Sequence, residues 1–205
     1  MLNKETAAAL VKKICSYTNY YATVVIESNE QGVTRFANSG INQNVSIADA
    51  IIKLTLHDGK KETTCSSNVM TDEGLKKLVR DAESILPFVP DGEYELFPVS
   101  DEPTGVREYC TAASSYDVSA RAALIRQGMD ILKKDYSAAG ALILDKNVFA
   151  YGNSTGQFRF AAFDEIKFNT VITHANGAAG SADFYTYEFD SDSDTNIQEI
   201  GRAHV

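Results

Sequence analysis

The sequence predicts a mixed α/β, or α+β, fold in which two similar helix–antiparallel-hairpin units form a mixed sheet flanked by helices. Three observations carry this prediction. Amphipathic helical periods alternate with β-branched runs, Gly-containing turns punctuate those runs, and the second half of the chain repeats the order of the first. With 205 residues there is room for one large or two small domains and a real core. The 44% hydrophobic and 23% charged composition is ordinary for a globular chain, which excludes collagen-like, fibrous and disordered classes.

The elements follow in order. Residues 3–17 place Ala7, Leu10, Val11 and Ile14 on one helical face, and Ala8 and Ala9 add propensity. Strands are expected at 22–28 (ATVVIES) and 34–38, with a turn at Gln31-Gly32 between them. Residues 46–67 read as a hairpin. There Ile52, Leu54 and Leu56 face the core, Lys53, Thr55 and His57 face water, and Asp58-Gly59 offers a type I′ turn. Thr71 caps the next helix, with Asp72 and Glu73 in its first turn, where the helix dipole favours acids. Its buried stripe is Leu75, Leu78, Val79, Ala82, Ile85 and Leu86, and Pro87 stops it.

All four prolines (Pro87, Pro90, Pro98 and Pro103) fall in one stretch, so residues 87–116 form a connection. Asp117 caps a third helix expected to run through Lys134. Strands resume at 139–144, 148–151, 157–163, 166–174 and 182–189, with Asn176-Gly177 as a second hairpin signal.

VTRFANS, ending at Ser39, matches VFAYGNS, ending at Ser154, and IIKLTLHDG matches FNTVITHANG. Each half carries an Asn-Ser turn and a histidine just before a Gly turn. Duplication of one unit, about 1–86 and 117–199, explains the agreement in order and spacing; shared hairpin chemistry is the alternative.

The net charge is −9, unevenly spread at −3 for residues 1–134 and −6 for 135–205. An acidic chain lacks the electrostatic footprint for phosphate backbones, so nucleic acid is not an expected partner. No apolar run approaches a membrane span and the N-terminus has no signal-peptide core, so no membrane association is expected and the location is expected to be cytoplasmic. Cys15, Cys65 and Cys110 are odd in number and widely spaced, as reduced thiols are.

No residue qualifies as catalytic, cofactor-binding or metal-ligating. The three histidines, His57, His174 and His204, have no second ligand at zinc-site spacing, and the first two read as turn-flanking residues on the solvent side. Asp190, Asp192 and Asp194 open like a calcium loop, but Thr195 and Gly201 stand where Gly and Glu are needed. Ser114-Ser115, Asn38-Ser39 and Asn153-Ser154 offer hydroxyls without a placed base. Cys65 reads as a buried structural thiol. Asn44-Val45-Ser46 and Asn153-Ser154-Thr155 fit the glycosylation sequon by chance, and Phe158, Phe160 and Phe163 read as strand core.

The stretch TRFANSGINQNVSIADAIIKLTLHDGKKETTCSSN, and the later block AAGALILDKNVFAYGNSTG preceded by a helix of form RAA..I.....I, resemble the N-terminal domain of the TldD/PmbA family. The resemblance runs from about Ala22 to Glu199, and the Phe-Ala-Asn-Ser style is closer to the PmbA/TldE-like partner than to the zinc subunit. It implies a cytoplasmic zinc metallopeptidase system of two related subunits, acting on small or unfolded peptides. The zinc site lies on a His-Glu-x-x-x-His helix in the C-terminal half of one subunit. This chain contains no His-Glu pair, so no active site is carried over, and the chain alone is expected to be inactive. It would contribute pairing with a related subunit, as a hetero- or homodimer, and access for peptide substrates. Open strand edges could hold an extended peptide. Family members are about twice as long. Residues 200–205 spell one reading frame of a common sequencing adapter, so they are expected to be a non-native tail, which leaves His204 without a role. The alternative is a standalone, non-enzymatic binding or scaffold domain.

Overall fold

The computed structural model describes residues 2–93, 107–109 and 117–186. Among the described residues the fold is α+β: three helices and an open, seven-stranded antiparallel sheet. The elements are α1 (Lys4–Cys15), β1 (Tyr21–Ala37), β2 (Gly40–His57), β3 (Glu62–Ser67), α2 (Asp72–Ile85), a 3-10 turn (Leu86–Phe88), β4 (Arg107–Tyr109), α3 (Val118–Asp130), β5 (Tyr136–Asn153), β6 (Phe158–His174) and β7 (Ala179–Thr186). The strand order is β3-β2-β1-β5-β6-β4, with β7 also paired to β6. No helix among the described residues is long and apolar enough to cross a membrane.

Contacts gather the chain into two compact units. The first comprises Met1–Asn29, Asp49–Glu108 and Val148–Ala161. Its helices begin on side-chain caps: Asn3 Oδ1 accepts from the Thr6 amide at 2.8 Å, and Thr71 Oγ1 from the Gly74 amide at 3.2 Å. Buried Ala7, Val11 and Ile14 of α1 and Leu75, Leu78, Val79 and Ala82 of α2 form apolar stripes at helical spacing. Ala22, Val24 and Ile26 of β1 and Ile52, Leu54 and Leu56 of β2 supply the strand side of the core at period two.

The second unit comprises Glu30–Ala48, Tyr109–Asn147 and Ala162–Val205. Asp117 caps α3, its Oδ1 accepting from the Ala120 amide at 2.8 Å. Leu124 and Ile125 of α3 join Phe36, Ala138, Leu142, Leu144, Ile166, Phe168 and Ile172 in one buried cluster. Arg121 is 4% exposed. It donates from Nε to Thr34 Oγ1 at 3.2 Å and from Nη2 to Asn44 Oδ1 at 2.9 Å, to the Val45 carbonyl at 3.3 Å and to Ser46 Oγ at 3.3 Å.

Several expectations are corrected. The sheet is antiparallel rather than mixed. The hairpins β2–β3 and β6–β7 are antiparallel, and so is the β1–β5 pair, since Ala22 lies against Ser154 and Ser39 against Ala138. No turn interrupts residues 22–37, 139–151 or 158–174, each of which lies in a single long strand. The polar residues that looked like breaks are paired inside the second unit. Gln31 Nε2 donates to Asp145 Oδ1 at 2.7 Å, and the Lys167 ammonium meets Asp145 at 3.3 Å and Glu165 at 2.8 Å. Gly32 is not a turn residue; a β-carbon there would stand 2.5 Å from Arg121 Nη1.

The type I′ geometry belongs instead to Asn38 and Ser39, with φ of 51° and 57°. The β2–β3 loop spans residues 58–61, because Asp58 Oδ1 takes the Lys60 and Lys61 amides at 2.9 and 2.7 Å. Helix α3 ends at Asp130 rather than Lys134; Gly128 weakens its last turn, and Leu132 packs on the core from the turn that follows. Ile85, expected in the buried stripe, is 43% exposed. β7 starts three residues earlier than expected, at Ala179.

Candidate functional site

Among the described residues β3, β4 and β7 each pair on one side only, and β3 and β7 are the longer of these edges. In the first unit β3 ends the strand order, so among the described residues it pairs only with β2, from His57↔Glu62 to Ile52↔Ser67. Helix α2 covers β3 and runs back along it: Val69, just after β3, packs on Gly74 in the first turn of α2, and Lys61, just before β3, donates to the Pro87 carbonyl at 2.6 Å. Between the open edge and the helix lies a cleft of about 500 Å³, lined by Cys65, Ser67, Val69, Lys77, Asp81 and Ile85 among others. Lys77 and Asp81 pair across one helical turn at 2.5 Å. Val69 and Ile85 leave apolar surface here, and Phe88, in the turn after α2, is 87% exposed.

In the second unit, β7 pairs with β6 from Thr173↔Ala179 to Ile166↔Thr186. Its residues alternate between exposed and half-buried, and among the described residues no second strand lies beside it. Tyr185 sits beneath the Lys167 ammonium at 5.7 Å. An unpaired edge presents a row of amides and carbonyls that an extended chain can complete.

The histidines serve turns. His57 is buried rather than on the solvent side, because its Nδ1 accepts from the Gly59 amide at 2.8 Å and so draws the ring inward. His174 Nδ1 accepts from the Asn176 amide at 3.2 Å, the same bond two residues ahead. Cys65 lines the cleft half-buried, not fully buried as expected; burial, then the Asp81 carboxylate, pushes its thiol pKa up. Burial pushes Cys15 up to about 11. At both positions burial disfavours the thiolate, the reactive form of the side chain.

Asn153 is buried. Its Oδ1 accepts from the Thr155 and Gln157 amides, both at 3.1 Å, so as a sequon it would be closed to glycosylation. Asn44 is held by Arg121 and Thr34. Of the three phenylalanines read as strand core, Phe160 is buried, while Phe158 and Phe163 are half-buried. Among the described residues no three His, Cys, Asp or Glu side chains gather as a metal site would require. Cys110, Ser114-Ser115, Pro98, Pro103, Asp190, Asp192, Asp194, His204 and the 200–205 tail lie outside the described residues.

No protein-family model and no curated protein matches the sequence. Among solved structures, a protein described as a modulator of DNA gyrase from Bacteroides thetaiotaomicron superposes with a TM-score of 0.74 at 12% identity. It aligns with 100% of this chain and 49% of its own. The chain shares its fold. TldE from Thermococcus kodakarensis aligns with 95% of this chain and 46% of its own, at a TM-score of 0.69 and 11% identity. A modulator-of-gyrase protein from Thermotoga maritima aligns with 98% and 46%, at 0.66 and 14% identity. The chain thus spans about half the length of the structures it matches.

Which strands form the edges is not written in the sequence, because edge position is a property of strand order. Arg121 was missed, because its only signal is a charge inside an apolar helical stripe.

Proposed function

We propose that this chain is the N-terminal α/β half of a TldD/PmbA-like zinc metallopeptidase system, closer to the PmbA/TldE-type subunit, where it contributes subunit pairing and substrate access. The observation that carries this reading is a fold match over nearly the whole chain to proteins about twice its length, one of them named TldE. The element orders α1-β1-β2-β3 and α3-β5-β6-β7 support descent by duplication. The chain's own residues supply no zinc ligands in this reading; peptide hydrolysis depends on the metal-bearing part of the system, and the site would be cytoplasmic.

β7 is the edge suited to a small or unfolded peptide. Among the described residues no strand lies on its outer side, and a strand added there gains main-chain bonds whatever the peptide's sequence. Single prolines placed along Ser181–Tyr185 should weaken binding of an unfolded peptide at positions where the thermal melt is unchanged; unchanged binding at all of them contradicts this use of the edge. Pairing is tested by mixing the purified chain with a zinc-bearing TldD-type subunit. Co-elution in one-to-one ratio is the expected result, and separate elution contradicts the reading.

A further inference from the structure

We propose that the β7 edge selects cationic extended peptides in which basic residues alternate with apolar ones. This rests on the use of β7 as a peptide edge and names the class of peptide that edge takes.

The two faces of β7 differ. Phe184 packs on the buried cluster of the second unit, and strand alternation puts Gly180 and Ala182 on the same side. Ser181, Asp183 and Tyr185 lie on the other side. A strand added along β7 continues both faces. Its residues would therefore alternate between small or apolar neighbours on one side and Asp183 and Tyr185 on the other.

Asp183 sets the charge. It stands mid-strand and exposed, and among the described residues no cation is paired with it. Its cross-strand neighbour on β6 is the uncharged Asn169, whose Oδ1 accepts from the Ala141 amide at 3.0 Å. Diagonally across, the Lys167 ammonium meets Glu165 at 2.8 Å and Asp145 at 3.3 Å, so two carboxylates outweigh one ammonium. Lys133 and Lys134 lie beside the β6–β7 turn, where the Asp135 carbonyl accepts from the Ala175 amide at 2.8 Å, before β7 begins. The sequence carries the bias further: from Ala179 to Glu199 there are six acidic residues and no Lys, Arg or His.

An acid in the middle of an edge is a device that keeps strands from pairing at random. In a chain of net charge −9 it repels any acidic segment, while a Lys or Arg set opposite it gains an ion pair. Tyr185, 47% exposed, already takes the Lys167 ammonium over its ring at 5.7 Å, so this end of the strand is also suited to cations. Exposed pairs of this kind are individually weak, so charge governs which peptide is chosen more than how tightly it is held.

The test is fluorescence anisotropy of labelled peptides in which Val alternates with Lys, Gln or Glu, titrated with the full chain. The Lys peptide should bind about fivefold more tightly than the Gln peptide, with the Glu peptide weakest. A peptide of the same Val and Lys content arranged in blocks should bind less tightly, since only alternation brings every Lys to the Asp183 face. Asp183→Lys, at an exposed position, should keep the wild-type melt and reverse the order, so that the Glu peptide binds best. Equal binding across the charge series, or of the alternating and block peptides, would overturn the proposal while leaving β7 as a peptide edge. A Lys preference that survives in Asp183→Lys would overturn it too, by placing the preference elsewhere on the acidic surface. Binding of none of the peptides would contradict the edge reading itself, and this proposal with it.

Discussion

At Gly140 the backbone is approached too closely for any side chain. A β-carbon there would stand 2.0 Å from the Asn169 carbonyl oxygen and 2.8 Å from Phe36 Cζ, and Phe36 is itself stacked on Phe168 with ring centroids 5.9 Å apart. Neither neighbour can retreat without opening the core of the second unit, so Gly140→Ala should cost roughly 2–3 kcal/mol. A lower urea midpoint at unchanged slope is the expected reading. Arg121 makes the complementary case. Its guanidinium lies where a Gly32 side chain would be and donates to Thr34, Asn44, Val45 and Ser46. Arg121→Met keeps the stem but strands those acceptors, at a cost of roughly 2–3 kcal/mol. A variant as stable as wild type in urea would show that the acceptors find other donors.

At the scale of elements, α1 and α2 are tied through one carboxylate. Asp72 accepts from Lys13 and Lys76, both at 2.7 Å, and from the Tyr17 hydroxyl. The Lys13 bond, then those from Lys76 and Tyr17, hold the Asp72 carboxyl well below the usual carboxylate range. A depressed folded pKa stabilises the protein fully above the unfolded value of 3.8, and that contribution is lost as pH falls below it. Between about pH 6 and pH 3 the wild-type melting temperature should therefore fall further than that of Asp72→Asn. The groups are exposed, so added salt should shrink the difference. An identical pH slope in both proteins would remove Asp72 from the account.

The helices were legible in the sequence because their signals are local. Asn3, Thr71 and Asp117 cap where capping chemistry places them, and the α2 stripe follows its period except at Ile85. Strand lengths were not legible. Gln31 reads as a turn residue, and Asp145 and Glu165 fall between expected strands, until their partners on neighbouring strands are known. His57 was misplaced for a related reason: strand alternation sets it toward water, but its bond to the Gly59 amide keeps it buried.

At the scale of the molecule, each half of the chain lends a hairpin to the other. The 30–48 segment lies in the unit that holds α3, and the 148–161 segment in the unit that holds α1 and α2. Within those units the contacts cross between halves, as between Arg121 and Asn44 or between Ser154 Oγ and the Ala22 amide at 3.1 Å. Cleaving the backbone at an engineered protease site between residues 93 and 107 should therefore leave the two fragments associated through gel filtration, separating only in denaturant. Fragments that part in plain buffer would refute the exchange.

The function proposed above makes this chain one half of a longer TldD/PmbA-like protein. The most direct measurement is sequencing the source gene past the codon for Glu199. The account predicts an open frame of about the same length again, in keeping with the 46–49% of the matched structures that this chain spans. A frame carrying His-Glu-x-x-x-His would make it the zinc-bearing subunit, and one without that motif the PmbA/TldE-like partner. A stop codon directly after Val205 would contradict the claim and favour a standalone binding domain.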